Sequence, residues 1–232
     1  MKYEAIIFDV GDTLLESYPS EAQIYAERLQ LLGFDIDDNT IATAISNASN
    51  AQIAREQVGA PRMSDEDFAI MLDLSVLSCV VPCESAAEYL EALRTTPLPT
   101  QELRVIDGAT EALQSLQERG YRLAIVSNHR AWLPDRLTQL GLSGYFEAIV
   151  VSDLVGIEKP DPRIMQIALD KLNLDAPACL YVGDHPFDVL CAKLASLDCA
   201  WITAADSRLP ESIPYKQNYH ITRLTDLLAL LN

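Results

Sequence analysis

The sequence predicts an α/β fold, a doubly wound parallel sheet, and three observations carry that prediction. An apolar run, Ala5-Ile6-Ile7-Phe8, stops abruptly at Asp9 and passes into a turn containing Gly11. From Asp107 onward, short apolar strands alternate with helical segments, the pattern of repeated βα units joined by right-handed crossovers. Asp9, Ser127, Asp153 and Asp184 each lie just past the end of such a strand. In an open parallel sheet those carboxyl ends form one edge, and ligands bind there.

The elements follow in order along the chain. Ser20-Glu21-Ala22-Gln23 is a capping box that opens a helix, and Gly33 closes it. Thr40 is positioned to cap a long helix toward Val58, Ser64 another through Leu77, and Ser85 a fourth ending near Arg94. No strand pattern occurs from about residue 17 to residue 95, and Thr95 to Thr100, with Pro97 and Pro99, reads as a linker. A helix is expected over 109–119 with Gly120 as its stop, then a strand from Arg122 to Val126 ending in Ser127-Asn128. A helix from Leu133 to Leu140 leads to a strand over 148–151. Asp161-Pro162 supplies an N-cap and first-turn proline for a helix to Leu172. Cys179 to Val182 is a strand ending in Gly183-Asp184, Pro186 opens the next helix, and residues 199–203 form a last strand. Residues 1–16 and 101–232 therefore read as the α/β core, and 17–100 as a helical insertion.

Composition narrows the function. The chain has 232 residues, 49% of them hydrophobic, enough for one domain with a large insertion or for two small domains. No apolar run approaches the roughly 18 residues needed to cross a bilayer. The start, Met1-Lys2-Tyr3-Glu4, lacks a signal-peptide pattern. A soluble, cytoplasmic protein with no membrane association is expected. The formal charge is -17, from 34 acidic and 17 basic residues, which repels nucleic acid and anionic membranes alike. An anionic substrate would need a metal, a lysine or arginine, or backbone amides to make its site locally favourable. The five cysteines are odd in number, which fits free thiols in a reducing compartment. Cys79 and Cys83, four apart in an expected helix, read as buried residues, because no second pair completes a zinc site. Neither a dinucleotide glycine fingerprint nor a Walker loop is present.

Four segments, in order, resemble the motifs of the haloacid dehalogenase (HAD) superfamily. They are Phe8-Asp9-Val10-Gly11-Asp12-Thr13, Val126-Ser127-Asn128, Glu158-Lys159-Pro160-Asp161-Pro162 and Val182-Gly183-Asp184-His185-Pro186-Phe187-Asp188. The resemblance spans nearly the whole chain and implies a Rossmann-like core carrying an α-helical cap inserted after the first motif. It further implies a Mg²⁺-dependent hydrolase acting on a small phosphorylated molecule. Asp9 would attack phosphorus and form an aspartyl-phosphate that water hydrolyses. Mg²⁺ would be held by Asp9, by the backbone carbonyl of Gly11 and by Asp184, all hard oxygen ligands. Ser127, the amide of Asn128 and Lys159 would bind the phosphoryl oxygens, and Asp188 would steady the metal loop or Lys159.

Each of these residues also has a bland reading. Ser127 can serve as a turn cap, Lys159 as a solvated loop lysine and Asp188 as a first-turn helix acid. His129 and His185, beside motif residues, read as specificity or packing residues. Of the insertion's arginines, Arg28, Arg55, Arg62 and Arg94, surface placement is the default.

Gly11 departs from the family pattern. Phosphatases of the superfamily normally carry an aspartate there, which protonates the leaving oxygen and then activates water. Gly11 can do neither, and Asp12 is either its replacement or a turn residue. This favours substrates with good leaving groups, such as acyl or aryl phosphates. It also feeds a rival reading, a weakened member that binds a phosphometabolite or a protein partner. Members that cleave phosphonates use a cap lysine, and residues 3–158 contain no lysine. Dehalogenating members lack the acid corresponding to Asp184.

Overall fold

The computed structural model of the protein describes residues 2–57, 60, 61, 63–205 and 207–231. The sequence-predicted end of the second helix at Val58, and Arg62, lie outside the described residues. The chain forms two compact units, residues 1–16 with 104–232, and residues 17–103. In chain order come β1 (Ala5–Phe8), β2 (Leu15–Tyr18), α1 (Glu21–Leu31), α2 (Asp38–Gln57), α3 (Asp65–Leu77), α4 (Ala86–Thr95) and β3 (Glu102–Val105). There follow α5 (Ala109–Glu118), β4 (Arg122–Ser127), α6 (Leu133–Gln139), β5 (Ala148–Val151), α7 (Ser152–Val155) and α8 (Arg163–Leu172). The chain then runs through β6 (Cys179–Gly183), α9 (Pro186–Leu194), β7 (Asp198–Ile202), β8 (Tyr219–Ile221) and α10 (Asp226–Leu230).

The first unit is built on a six-stranded sheet in the order β5-β4-β1-β6-β7-β8, with neighbouring strands parallel throughout. Strands β1 and β6 are buried at every residue, as expected of parallel strands covered on both faces. Successive side chains point to opposite faces, so Ile7, Val126 and Tyr181 share one face. There they pack with Ile164, Met165 and Leu169 of α8 and Val189 of α9. Phe8 of β1 lies in register with Ile125 of β4 and Val182 of β6, so the ends of the three central strands come together. Asp9 extends the pairing by one bond, its N–H donating to the Val182 carbonyl at 2.8 Å.

The second unit packs α1 to α4 in sequence around Tyr25, Leu29, Ile41, Val76 and Leu93. Its helix starts show how local chemistry sets boundaries. Ser20 forms the expected capping box with Gln23, and Ser64 accepts from the Asp67 N–H at 3.1 Å. The start of α2 differs from expectation: Asp37, not Thr40, is the cap, accepting from both the N–H and the hydroxyl of Thr40. Aspartate at that position satisfies a free first-turn amide and interacts well with the helix dipole. Arg28 is buried rather than on the surface, because its guanidinium donates to the Leu93 carbonyl and to Thr96. Asp73, also buried, accepts from the Tyr25 hydroxyl at 2.7 Å and pairs with Arg94.

Three short strands and two helices, one of them the four-residue α7 directly after β5, escape the sequence reading. β2 and β3 pair in a two-stranded sheet, but four residues rich in Glu, Ser and Arg give no clear alternation. β8 and α10 follow the strand expected to be last, and at three and five residues they are too short for periodicity to register. Cys79 and Cys83 are exposed rather than buried, since α3 ends at Leu77 and both fall in the turn and short 3-10 segment beyond it. The other three cysteines are buried, and all five are free thiols. No helix among the described residues is long and apolar enough to cross a membrane.

Candidate active site

The turn after β1 gathers around one carbonyl. Val10 C=O accepts from Leu14 N and Leu15 N, both at 2.9 Å, and Asp12 N donates to Leu15 C=O. Asp12 is exposed at φ +48°, a left-handed conformation that aspartate tolerates better than most residues. That geometry matches its reading as a turn residue. Gly11 does not occupy such a region, and a Cβ built on it would meet nothing within 4 Å.

One side chain from each of three motifs, Asp9, Lys159 and Asp188, meets Tyr181 of β6 beside the end of β1. Lys159 is 4% exposed, and its ammonium donates to Asp9 Oδ1 at 2.7 Å, to Asp188 Oδ1 at 2.6 Å and to the Tyr181 hydroxyl at 3.0 Å. Asp188 is fully buried in the first turn of α9, and its second oxygen accepts from His185 N at 2.9 Å. Lys159 is therefore not a solvated lysine, nor Asp188 a solvent-facing helix acid. The lysine loop is clamped at its main chain as well. Asn128 Oδ1 accepts from Lys159 N at 2.7 Å while Asn128 Nδ2 donates to the Lys159 carbonyl at 2.9 Å. Ser127 ends β4 at 2% exposure.

Asp184, immediately after β6, is held from two sides. Thr13 Oγ1 donates to its carboxylate at 3.0 Å, and the Trp201 indole donates to its backbone carbonyl at 2.6 Å. Ligand oxygens of Asp9, Asp184 and Asp188 lie within 4.8 Å of one another. Burial, reinforced by Asp188, Asp9 and Asp12, raises the Asp184 pKa well above the ordinary carboxylate range, against the opposing Thr13 hydrogen bond. Burial also raises that of Asp9, with Asp188 adding and Lys159 opposing. Burial disfavours the Lys159 ammonium, but Asp188 and Asp9 more than compensate and its pKa is raised.

Three carboxylates facing one ammonium leave two negative charges uncompensated when all are ionised. A divalent cation would neutralise them, and a set made wholly of oxygens fits Mg²⁺. Since both oxygens of Asp188 already accept hydrogen bonds, Asp9 and Asp184 are the carboxylates with capacity to ligate.

The approach of Asp188 depends on Gly183. A Cβ at that position would fall well inside van der Waals distance of the Asp188 Cγ and Cβ. Gly183→Ala is expected to destabilise the protein by about 1–3 kcal/mol through overpacking. For a chain of this size that is a fall in Tm of roughly 2–4 °C per kcal/mol, measurable by thermal denaturation.

The remaining polar residues take structural roles. His185 caps α9, its Nδ1 accepting from Phe187 N at 3.1 Å, and its ring packs edge-on against Phe187. His129 packs edge-on against Trp132 with centroids 4.6 Å apart. Asp153 does not join the acidic cluster. It is exposed, and its carboxylate accepts from Ala131 N, tying the loop after β4 to the start of α7. Tyr181, Thr13, Trp201 and the Asn128 side chain escape the sequence reading. A phenol inside the buried strand Cys-Leu-Tyr-Val-Gly was the available signal, because a buried hydroxyl requires a partner.

A model of the haloacid dehalogenase-like hydrolase family matches residues 6–202, a span that contains all four motifs. The chain belongs to this family of hydrolases. Among its HAD relatives, a phosphoglycolate phosphatase of Colwellia psychrerythraea is 30% identical over 202 residues, covering 86% of this chain and 84% of that protein. A mouse haloacid dehalogenase-like hydrolase domain-containing protein 3 is 28% identical, covering 100% of this chain and 95% of that protein. The solved structure of the HAD-hydrolase YfnB of Bacillus subtilis, bound to magnesium, superposes with a TM-score of 0.68 over all of both chains at 22% identity. At that identity the likeness bears on the HAD fold alone.

Proposed function

We propose that the chain is a Mg²⁺-dependent phosphatase of a small soluble phosphate ester or anhydride, working through an aspartyl-phosphate on Asp9. The observation that carries this reading is the buried cluster in which Lys159 bridges Asp9 and Asp188 beside Asp184. The name of the Colwellia relative supports a small phosphorylated substrate. Asp9, Asp184 and the Gly11 carbonyl would hold Mg²⁺. When bound, the ion supplies Lewis-acid stabilisation of phosphoryl charge and offsets the repulsion between an anionic nucleophile and an anionic substrate.

The chain's own residues do the rest. Lys159 engages Asp9 Oδ1 and thereby orients the carboxylate, leaving the other oxygen to attack phosphorus. The new bond joins that oxygen to phosphorus as the phosphorus–leaving-group bond breaks, and the electron pair departs with the leaving oxygen. Ser127 and the Asn128 amide bind the phosphoryl oxygens, and the Asn128 side chain keeps the lysine loop in place. Water then cleaves the aspartyl-phosphate and regenerates Asp9. With Gly11 at the usual acid/base position, the leaving oxygen departs unprotonated, so aryl phosphates, acyl phosphates and anhydrides are the matched substrates. The helical unit takes the substrate-selecting role of the family's cap.

Incubation with an aryl phosphate and an acyl phosphate in Mg²⁺ is expected to release phosphate, and EDTA to abolish the release. No release from either substrate would overturn catalysis. That outcome would favour the second reading, which Gly11 supports, a weakened member binding a phosphometabolite or a protein partner in a regulatory role.

A further inference from the structure

Lys159 is anchored at both ends, and the anchorage of its ammonium has one member that the chemistry above does not use. An ammonium group carries three hydrogens. In this structure three acceptors surround it, Asp9 Oδ1, Asp188 Oδ1 and the Tyr181 hydroxyl oxygen. Two are carboxylates, and the third is a neutral phenol from the middle of β6, fully buried.

Tyr181 reaches further than Lys159. Its hydroxyl carries a single hydrogen, and the Val126 carbonyl and Asp188 Oδ1 both lie at 3.0 Å to accept it. Val126 directly precedes Ser127 at the end of β4. One phenol therefore ties together the lysine motif, the strand end that carries Ser127, and the first turn of α9. Two carboxylates alone would leave the ammonium free to swing about the line joining them, and a third acceptor removes that freedom.

We propose that Tyr181 is a positioning residue for the reaction at Asp9, its hydroxyl holding the Lys159 ammonium against Asp9 and in register with the end of β4. This rests on the phosphatase reading and extends it to a residue outside the four motifs. Because the three ammonium hydrogens are already engaged in the resting site, Lys159 contributes little to ground-state affinity. Its position counts most as negative charge moves from Asp9 to the phosphoryl group in the transition state.

The test is steady-state hydrolysis of an aryl phosphate in Mg²⁺ by the full chain, by Tyr181→Phe, and by protein carrying 3-fluorotyrosine at 181. Fluorination keeps the ring and its contacts but weakens the oxygen as an acceptor. Losing one hydrogen bond to a charged group corresponds to a fall in kcat of about 10- to 100-fold for Tyr181→Phe. KM is expected to stay within about threefold, the signature of an interaction realised in the transition state. The fluorotyrosine protein should have an intermediate kcat at unchanged Tm. If Tyr181→Phe fails to fold, the fluorotyrosine protein alone decides. Wild-type kcat in either folded variant, or a rise in KM without a fall in kcat, would overturn the inference while leaving the phosphatase reading intact. A wild-type chain with no turnover would overturn the reading and the inference with it.

Discussion

Asp9→Asn is expected to lower Mg²⁺-dependent hydrolysis of an aryl phosphate by about 10⁴-fold or more, the scale on which removing a nucleophile acts. The substitution is isosteric, and the amide oxygen can still accept from Lys159, so the fold has no reason to change. What disappears is the charged oxygen that attacks phosphorus in the proposed mechanism. Stability should move the other way. Asp9 and Asp184 have raised pKa values in the folded protein, so the folded state binds more protons than the unfolded one above the ordinary carboxylate range. Metal-free stability is therefore lost as pH rises through those raised values. Taking one carboxylate from the cluster removes part of that penalty, and the metal-free Tm at neutral pH is expected to rise. Calorimetric scans with and without Mg²⁺ check this, the variant gaining less from the ion than the wild type. A variant retaining wild-type turnover would rule out Asp9 as the nucleophile.

Gly11→Asp should act in the opposite direction. The site accepts a side chain, since nothing lies within 4 Å of a Cβ there, and the backbone is outside the left-handed region that only glycine enters freely. A general acid contributes about 10²- to 10⁴-fold when the leaving group needs a proton. Hydrolysis of an alkyl phosphate is expected to rise toward that range, while an aryl phosphate, whose leaving oxygen is already a weak base, gains little. Comparing kcat/KM for the two substrates in wild type and variant measures the difference. Equal gains, or none, would count against leaving-group protonation as the function that Gly11 withholds.

The two substitutions also separate what each level of description supplies. The acidic residue at the end of β1, the glycine two residues on, and the ordered motifs at Lys159 and Asp184 follow from sequence, because a polar residue ending an apolar parallel strand has a position that topology dictates. Strands β1, β4 and β6 and the longer helices between them were likewise evident, being long or apolar enough for periodicity to show. β2, β3, α7, β8 and α10 were not, because three to five residues carry too little pattern. Asp37 took the cap expected of Thr40, a choice between neighbouring polar residues that only the local backbone makes.

Within the candidate site, sequence alone determined which residues lie at the strand ends and which chemical groups they bring, including the absence of an acid at Gly11. Only the tertiary structure decided how those groups are spent. Asp153 satisfies a loop amide, His185 caps a helix, and Tyr181 joins Lys159 to Asp188 and Val126. Hydrogen-bond partners more than a hundred residues apart, such as Lys159 and Asp9, are set by the register of neighbouring strands and the close approach of α9 at Gly183. Neither is written in local pattern, because both arise from packing between distant segments.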